Sequence, residues 1–148
     1  MVELKAIDAD NFPDAFNLRL GPGQDRFVSD PVRSLAQAYV YRDQCQPFGI
    51  YADNTMVGYV MVIYDYDLEE YDIWHMMIDC SWQGHGYGTA ALDRVVDYIR
   101  TKPFGTSARI ALTCNRDNGR ALALYERKGF RPTGVEDGDE MELVLMAG

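Results

Sequence analysis

The sequence predicts a mixed α/β layer fold (α+β in its segregation of layers), built as a single domain over residues 1–148. Three observations lead there. Apolar residues alternate with polar ones in some segments and recur at helical spacing in others, and the two kinds interleave in the order β-α-α-β-β-β-α-β-α-β-β. No linker, repeat or biased tract divides the chain. Its 148 residues are 47% hydrophobic and 25% charged, which suits one core burying about 70% of the unfolded surface.

Val2 to Ile7 alternates and reads as a first strand, followed by helical spacing over Phe12 to Leu18 and Val32 to Tyr41. The turn-rich connection from Gly21 to Pro31 is longer than a tight helix hairpin needs, so it is either a site wall or a plain surface loop. Phe48 to Ala52 and Met56 to Tyr64 flank Asp53-Asn54-Thr55 as an antiparallel hairpin. An acidic segment from Asp65 to Asp72 leads into Ile73 to Cys80, a mostly apolar run expected as a buried central strand. After a glycine-rich turn, Ala91, Leu92, Val95, Val96 and Ile99 share one helical face, with Asp93, Arg94, Asp97 and Arg100 outside it. Lys102-Pro103-Phe104-Gly105 stops that helix. Arg109 to Thr113 is the next strand, and Asp117 or Asn118 caps a helix over Gly119 to Lys128 that Gly129 closes. Phe130 to Val135 and Met141 to Leu145 flank Glu136-Asp137-Gly138-Asp139 as a last hairpin.

Charge narrows the partners. A net charge of −9 repels a phosphate backbone, which argues against nucleic acid as the primary ligand and favours a cationic one, although an acidic surface also serves solubility alone. The longest apolar runs fall far below the roughly 18 to 20 residues of a membrane span, and Met1 to Lys5 starts no secretory segment. Cytoplasmic location without membrane association is the expectation. Cys45, Cys80 and Cys114 fit neither a disulfide framework nor a metal pair and are expected as buried, reduced thiols. His75 and His85 lack a matching ligand pattern, so no metal is expected.

Gln83-Gly84-His85-Gly86-Tyr87-Gly88-Thr89 joins the buried strand to the amphipathic helix. Main-chain N–H groups there have no helical acceptor and sit at the positive end of the helix, and alternate glycines let an anion approach the backbone. The plain alternative is a chain-reversing turn. Gly86-Tyr87-Gly88-Thr89-Ala90-Ala91 satisfies a dinucleotide pattern in form, but the acidic residue expected about 20 positions later is missing. No Walker-type phosphate loop is present.

Gln83-x-x-Gly86-x-Gly88 resembles the pyrophosphate loop of the GNAT N-acetyltransferases, and Asn118-x-x-Ala121-x-x-x-Tyr125-x-x-x-Gly129-Phe130 resembles a second hallmark of that family. Nearly the whole chain is covered, and it is most similar to small bacterial members that acetylate spermidine and spermine, through Gln24 to Val28, Pro47-x-Gly49-x-Tyr51 and Met77-Ile78-Asp79. The resemblance implies a mostly antiparallel sheet of about six or seven strands, flanked by about four helices, with two parallel strands splayed into a V. It implies acetyl-CoA as cosubstrate, with pantetheine on Met76, Met77 and Ile78 and pyrophosphate on Gln83, Gly84, His85, Gly86, Tyr87, Gly88 and Thr89. Asn118 and Ala121 would lie beside it, and a homodimer is in keeping with similar proteins.

Tyr125 matches the tyrosine that protonates the departing thiolate, although a tyrosine on an apolar helix face also serves as core. A phenol of pKa about 10 in reach of a thiolate of pKa near 8.5 can donate to it. The attacking amine, protonated at neutral pH, must first lose a proton. Related polyamine acetyltransferases carry a carboxylate where this chain has Trp74, which leaves Glu70, Asp72, His75 or a water chain as acceptors. Asp65, Asp67, Glu69, Glu70 and Asp72 would attract a polycation, with Tyr64, Tyr66, Tyr71 and Trp74 stacking on it. The implied function is acetyl transfer to a polyamine by direct attack in a ternary complex. The alternatives are detoxification of an aminoglycoside or streptothricin-like antibiotic, and an acyl-CoA-binding sensor without turnover.

Overall fold

The computed structural model describes residues 1–146, apart from the side chain of Arg26. Its elements are β1 (Val2–Ala6), α1 (Phe12–Phe16), α2 (Pro31–Val40), β2 (Cys45–Ala52), β3 (Thr55–Asp65), β4 (Glu70–Ile78), α3 (Tyr87–Arg100), β5 (Arg109–Asn115), α4 (Gly119–Lys128), β6 (Arg131–Asp137) and β7 (Glu140–Met146), with a 3-10 turn at Gln24–Arg26. The seven strands form one sheet in the order β1-β2-β3-β4-β5-β7-β6. Among the described residues, only β4 and β5 run parallel to one another. No helix among the described residues is long and apolar enough to cross a membrane.

Local chemistry explains most boundaries. Asp30 accepts the Arg33 N–H at 2.9 Å and Pro31 opens α2, the usual arrangement for a helix start. Asn118 caps α4 through the Ala121 N–H at 3.4 Å, and Gly129 ends it with φ 114°. All five apolar residues expected on the inner face of α3 are buried. Two cores result. Val60 and Val62 of β3 point with α3 and Tyr125 of α4 into one, while Tyr59, Met61 and Ile63 point with α1 and α2 into the other.

Two expectations need correction. The central strand runs from Glu70 to Ile78 and not from Ile73 to Cys80, so Glu70 and Asp72 of the acidic segment belong to it. The cause is the hairpin ladder, which pairs Tyr64 with Tyr71 and Asp65 with Glu70 and so extends both strands. Cys45 and Cys114 are buried, but Cys80 is exposed because the strand has already ended at Ile78.

The feature that shapes the molecule is a fork. β4 and β5 pair at Tyr71 with Ile110, Asp72 with Ala111 and Ile73 with Leu112, and no further. Beyond Ile73, β4 stays with β3 while β5 stays with β7, so the two parallel strands diverge. A bulge marks the divergence: Trp74 to Met77 of β4 spans the same ladder as Met61 to Tyr59 of β3, one residue fewer. His75 sits in that bulge at φ 60°, an uncommon conformation for a residue with a side chain. Gly58 permits the close approach, since a Cβ there would collide with the Met77 carbonyl oxygen. Asp79 secures the end of β4, taking N–H bonds from Arg19 at 2.7 Å and Ser81 at 2.8 Å.

Below the fork, Glu70 is buried and its carboxylate meets the Arg109 guanidinium at 2.5 Å. Asp72 lies beside this pair. Its pKa is pushed up to about 7 by burial first and then by Glu70, Glu142 and Asp65, with Arg109 opposing them. Between its ordinary value of 3.8 and about 7, the folded chain holds a proton that the unfolded chain has released, so stability falls as pH rises across that window. Asp72→Asn is expected to raise the unfolding free energy by about 2 kcal/mol at pH 8 and by little at pH 4, as read by urea denaturation.

Candidate active site

The glycine turn closes over the end of β4. Gln83 Nε2 donates to the Ile78 carbonyl at 3.0 Å and to Gln24 Oε1 at 2.9 Å, while Gln24 Nε2 donates back to Gln83 Oε1 at 3.1 Å. This exchange ties the turn to the connection between α1 and α2. Gly84 at φ 83° and Gly86 at φ 80° direct the chain into α3. Gly86 occupies the N-cap without a side-chain cap, so the first N–H groups of α3 are left to whatever lies in front of them.

In front of them is a cavity of about 580 Å³. Met76, Met77 and Ile78 form one wall; Gln83, Gly84, Gly86, Tyr87, Gly88 and Thr89 form its floor; Asn118, Ala121 and Tyr125 face it from α4. Of the turn residues, His85 alone is outside the lining. Its Nδ1 lies 3.0 Å from the Trp82 carbonyl and 3.1 Å from that of Gln83, and its ring stacks on Tyr87.

Arg120 and Arg127 also line this cavity, and Arg120 Nη1 lies 3.4 Å from Gln83 Oε1. Sequence reasoning missed Arg120. The available signal was a cation in the first turn of α4, where the helix dipole disfavours one and where an anion nearby would reverse the preference.

A second cavity of about 700 Å³ opens on the other side of the fork. Trp74 and His75 line it from β4, Asp25 and Asp30 from the connection before α2, and Glu140 from β7. It shares Met76, Asn118, Ala121 and Tyr125 with the first cavity. The connection from Gly21 to Pro31 is therefore a site wall, to which Leu20, Phe27 and Val28 add apolar surface on both sides.

Tyr125, at the junction, is buried, and its hydroxyl makes no hydrogen bond among the described residues. Burial pushes its pKa well above the ordinary tyrosine value, so it holds its proton at neutral pH. Burial pushes the His75 pKa down. Glu140 is pushed up by burial and by Asp139 and Asp137, and its Oε2 is shut from water without a hydrogen-bond partner. The Cys114 thiol, raised to about 11 by burial and then by Glu140, is a poor nucleophile.

The structure does not bring Glu70 and Asp72 to either cavity, because both lie below the fork. Asp65 is engaged in its own turn, accepting N–H bonds from Asp67 at 2.9 Å and Leu68 at 3.0 Å. The hydroxyls of Tyr64 and Tyr71 donate to the carbonyls of Thr106 and Gly105, each at 2.7 Å. Negative charge at the second cavity comes instead from Asp25 and Asp30 of one connection and from Glu140, which is far from both in sequence and meets them only in the fold.

The chain is 26% identical over 145 residues to a spermine/spermidine N(1)-acetyltransferase of Bacillus subtilis, covering 92% of this chain and 91% of that protein. A probable spermine N(1)-acetyltransferase of Bacillus subtilis subsp. natto is equally similar, at 26% identity over the same coverage. Among solved structures, a Vibrio cholerae spermidine N-acetyltransferase in complex with CoA and spermine superposes with TM-score 0.78 at 20% identity, covering 99% of this chain and 95% of that one. The Escherichia coli ribosomal-protein-S18-alanine N-acetyltransferase superposes with TM-score 0.70 at 20% identity, covering 97% of this chain and 91% of that one. These likenesses establish a shared fold. The acetyltransferase (GNAT) family model matches residues 9–130, and the chain belongs to that family.

Proposed function

We propose that this protein transfers acetyl from acetyl-CoA to a primary amine of a polyamine such as spermidine or spermine, by direct attack in a ternary complex. One observation carries the reading: a cavity floored by main-chain N–H groups and edged by arginines meets a cavity edged by carboxylates, and Tyr125 stands where they join. The acetyltransferase family and the polyamine acetyltransferases among its relatives support it.

The first cavity suits a diphosphate. Open space lies where a Cβ of Gly86 would be, and the N–H groups from Gly84 to Thr89 sit at the positive end of α3 with Arg120 beside them. The β4 edge that faces the fork beyond Ile73 has no β5 partner, so its main-chain groups at Met76 to Ile78 are open to an amide-bearing arm. Asn118 and Ala121 border that arm on α4.

In the second cavity, Asp25, Asp30 and Glu140 attract the polycation, and Trp74 offers a face for its ammonium or methylene groups. An amine nitrogen that has passed its proton through water to these carboxylates attacks the thioester carbonyl. The carbon–sulfur bond then breaks, the Tyr125 hydroxyl gives its proton to the departing sulfur, and the second proton of the attacking nitrogen passes to the Tyr125 oxygen, which leaves a neutral amide. A cationic antibiotic would find the same carboxylates, so substrate rank is settled by assay.

Release of CoA thiol from acetyl-CoA is the assay, run with polyamines, aminoglycosides, streptothricin, amino acids and peptides. Polyamines are expected to give the highest kcat/KM; no turnover with any amine would leave a sensor. Tyr125→Phe is expected to lower kcat roughly a hundredfold with acetyl-CoA affinity held within about twofold, and unchanged turnover would remove the acid role. Gly86→Asp sets a carboxylate against the diphosphate at a left-handed backbone position, and is expected to weaken acetyl-CoA at least about tenfold by calorimetry.

A further inference from the structure

A buried chain of three polar groups ends at the second cavity. His75 Nδ1 lies 2.7 Å from Ser34 Oγ, and Ser34 Oγ lies 2.8 Å from the Tyr59 hydroxyl. Ser34 and Tyr59 are both 0% exposed, and neither lines the cavity. His75 does line it, and its Nε2 makes no hydrogen bond among the described residues.

Protons can be arranged along this chain in three ways. In one, Tyr59 donates to Ser34 and Ser34 donates to His75 Nδ1, so every proton has an acceptor and the neutral ring carries its hydrogen on Nε2. In another, His75 Nδ1–H donates to Ser34 and Ser34 donates to Tyr59. The Tyr59 proton is then stranded, because its hydroxyl has no other partner among the described residues. In the third, His75 Nδ1–H and Tyr59 both donate to Ser34, and the Ser34 proton is stranded instead. A fully buried hydroxyl without an acceptor is strongly disfavoured, which selects the first arrangement. Tyr59 keeps its proton, since burial raises its pKa, and burial of His75 keeps the ring neutral at pH 7.

We infer that Tyr59 and Ser34 hold His75 as its Nε2–H tautomer, so that the ring meets bound ligand as a hydrogen-bond donor and not as a proton acceptor. This separates His75 from deprotonation of the amine and leaves that task to the cavity carboxylates. A neutral donor at the fork suits the acyl carbonyl oxygen, which gathers negative charge as the amine adds; this last assignment rests on the acetyl-transfer reading above. Ser34 and Tyr59 are positioning residues. The charged groups that line the same cavity as the ring are Asp25, Asp30 and Arg33 from the connection and α2, and Glu140 from β7.

The tautomer is read by nitrogen NMR of the full chain with labelled imidazoles. The sequence has 2 histidines, so the signals lost in His75→Gln identify the ring. At pH 8 the His75 Nδ1 is expected to be unprotonated and Nε2 protonated; a predominant Nδ1–H form would overturn the inference. Tyr59→Phe removes the first donor and is expected to populate the Nδ1–H form, and an unchanged spectrum would remove Tyr59 from the role. In kinetics, His75→Gln retains a donor and is expected to keep kcat within about tenfold with the acidic limb of kcat/KM in place, while His75→Ala loses roughly a hundredfold. Loss of that limb in His75→Gln, with kcat down about a thousandfold, would make His75 the base. If no amine is turned over, the acetyl-transfer reading fails, and the spectra still decide the tautomer.

Discussion

The three-residue parallel ladder between β4 and β5 is the constraint on which the rest of the structure depends. Parallel strands normally continue side by side, since each unpaired N–H and C=O is costly once water is excluded. Here pairing stops at Ile73 and Leu112, the bulge at His75 commits β4 to β3, and β7 holds β5. Everything that makes a site follows from the opened edge: a backbone arm free to bind, a cavity on each side, and a helix residue, Tyr125, standing between them.

Charge is divided along the same line. One side of the fork gathers donors: the first turn of α3, Arg120 and Arg127, with Asp117 among them. The other gathers Asp25, Asp30 and Glu140, with Arg33 among them. A net charge of −9 is thus compatible with a local anion site, because the field of a helix terminus and two guanidinium groups acts over a few ångströms while the overall charge acts over the whole surface. Within the second cavity, buried neighbours decide what each group can do. Tyr125 keeps its proton, and His75 is tied to Ser34 and Tyr59.

Much of this was legible in the sequence, for reasons that are local. The helical faces of α3 and α4 and the glycine turn depend on residues within a few positions of one another, so Ala91 to Ile99, Gly129 and Gly84 to Gly88 could be placed from spacing alone, while the α4 cap was narrowed to Asp117 or Asn118. The acidic segment misled because its charge density is a local fact and its partners are not. Glu70 is occupied by Arg109, 39 residues away, and Asp72 is enclosed beside them. Glu140, Ser34 and Tyr59 were invisible for the same reason, since no short pattern joins residues that meet only when β3, β7 and α2 converge on the fork; Asp25 lay in a connection read as either a site wall or a surface loop.

A crystal structure with bound CoA tests the central claim most directly. The account predicts the diphosphate on the main-chain N–H groups between Gly84 and Thr89, the pantetheine along the free edge of β4 and the sulfur beside the Tyr125 hydroxyl. A diphosphate bound away from that turn, or a β4 edge closed by continued pairing with β5, would contradict it.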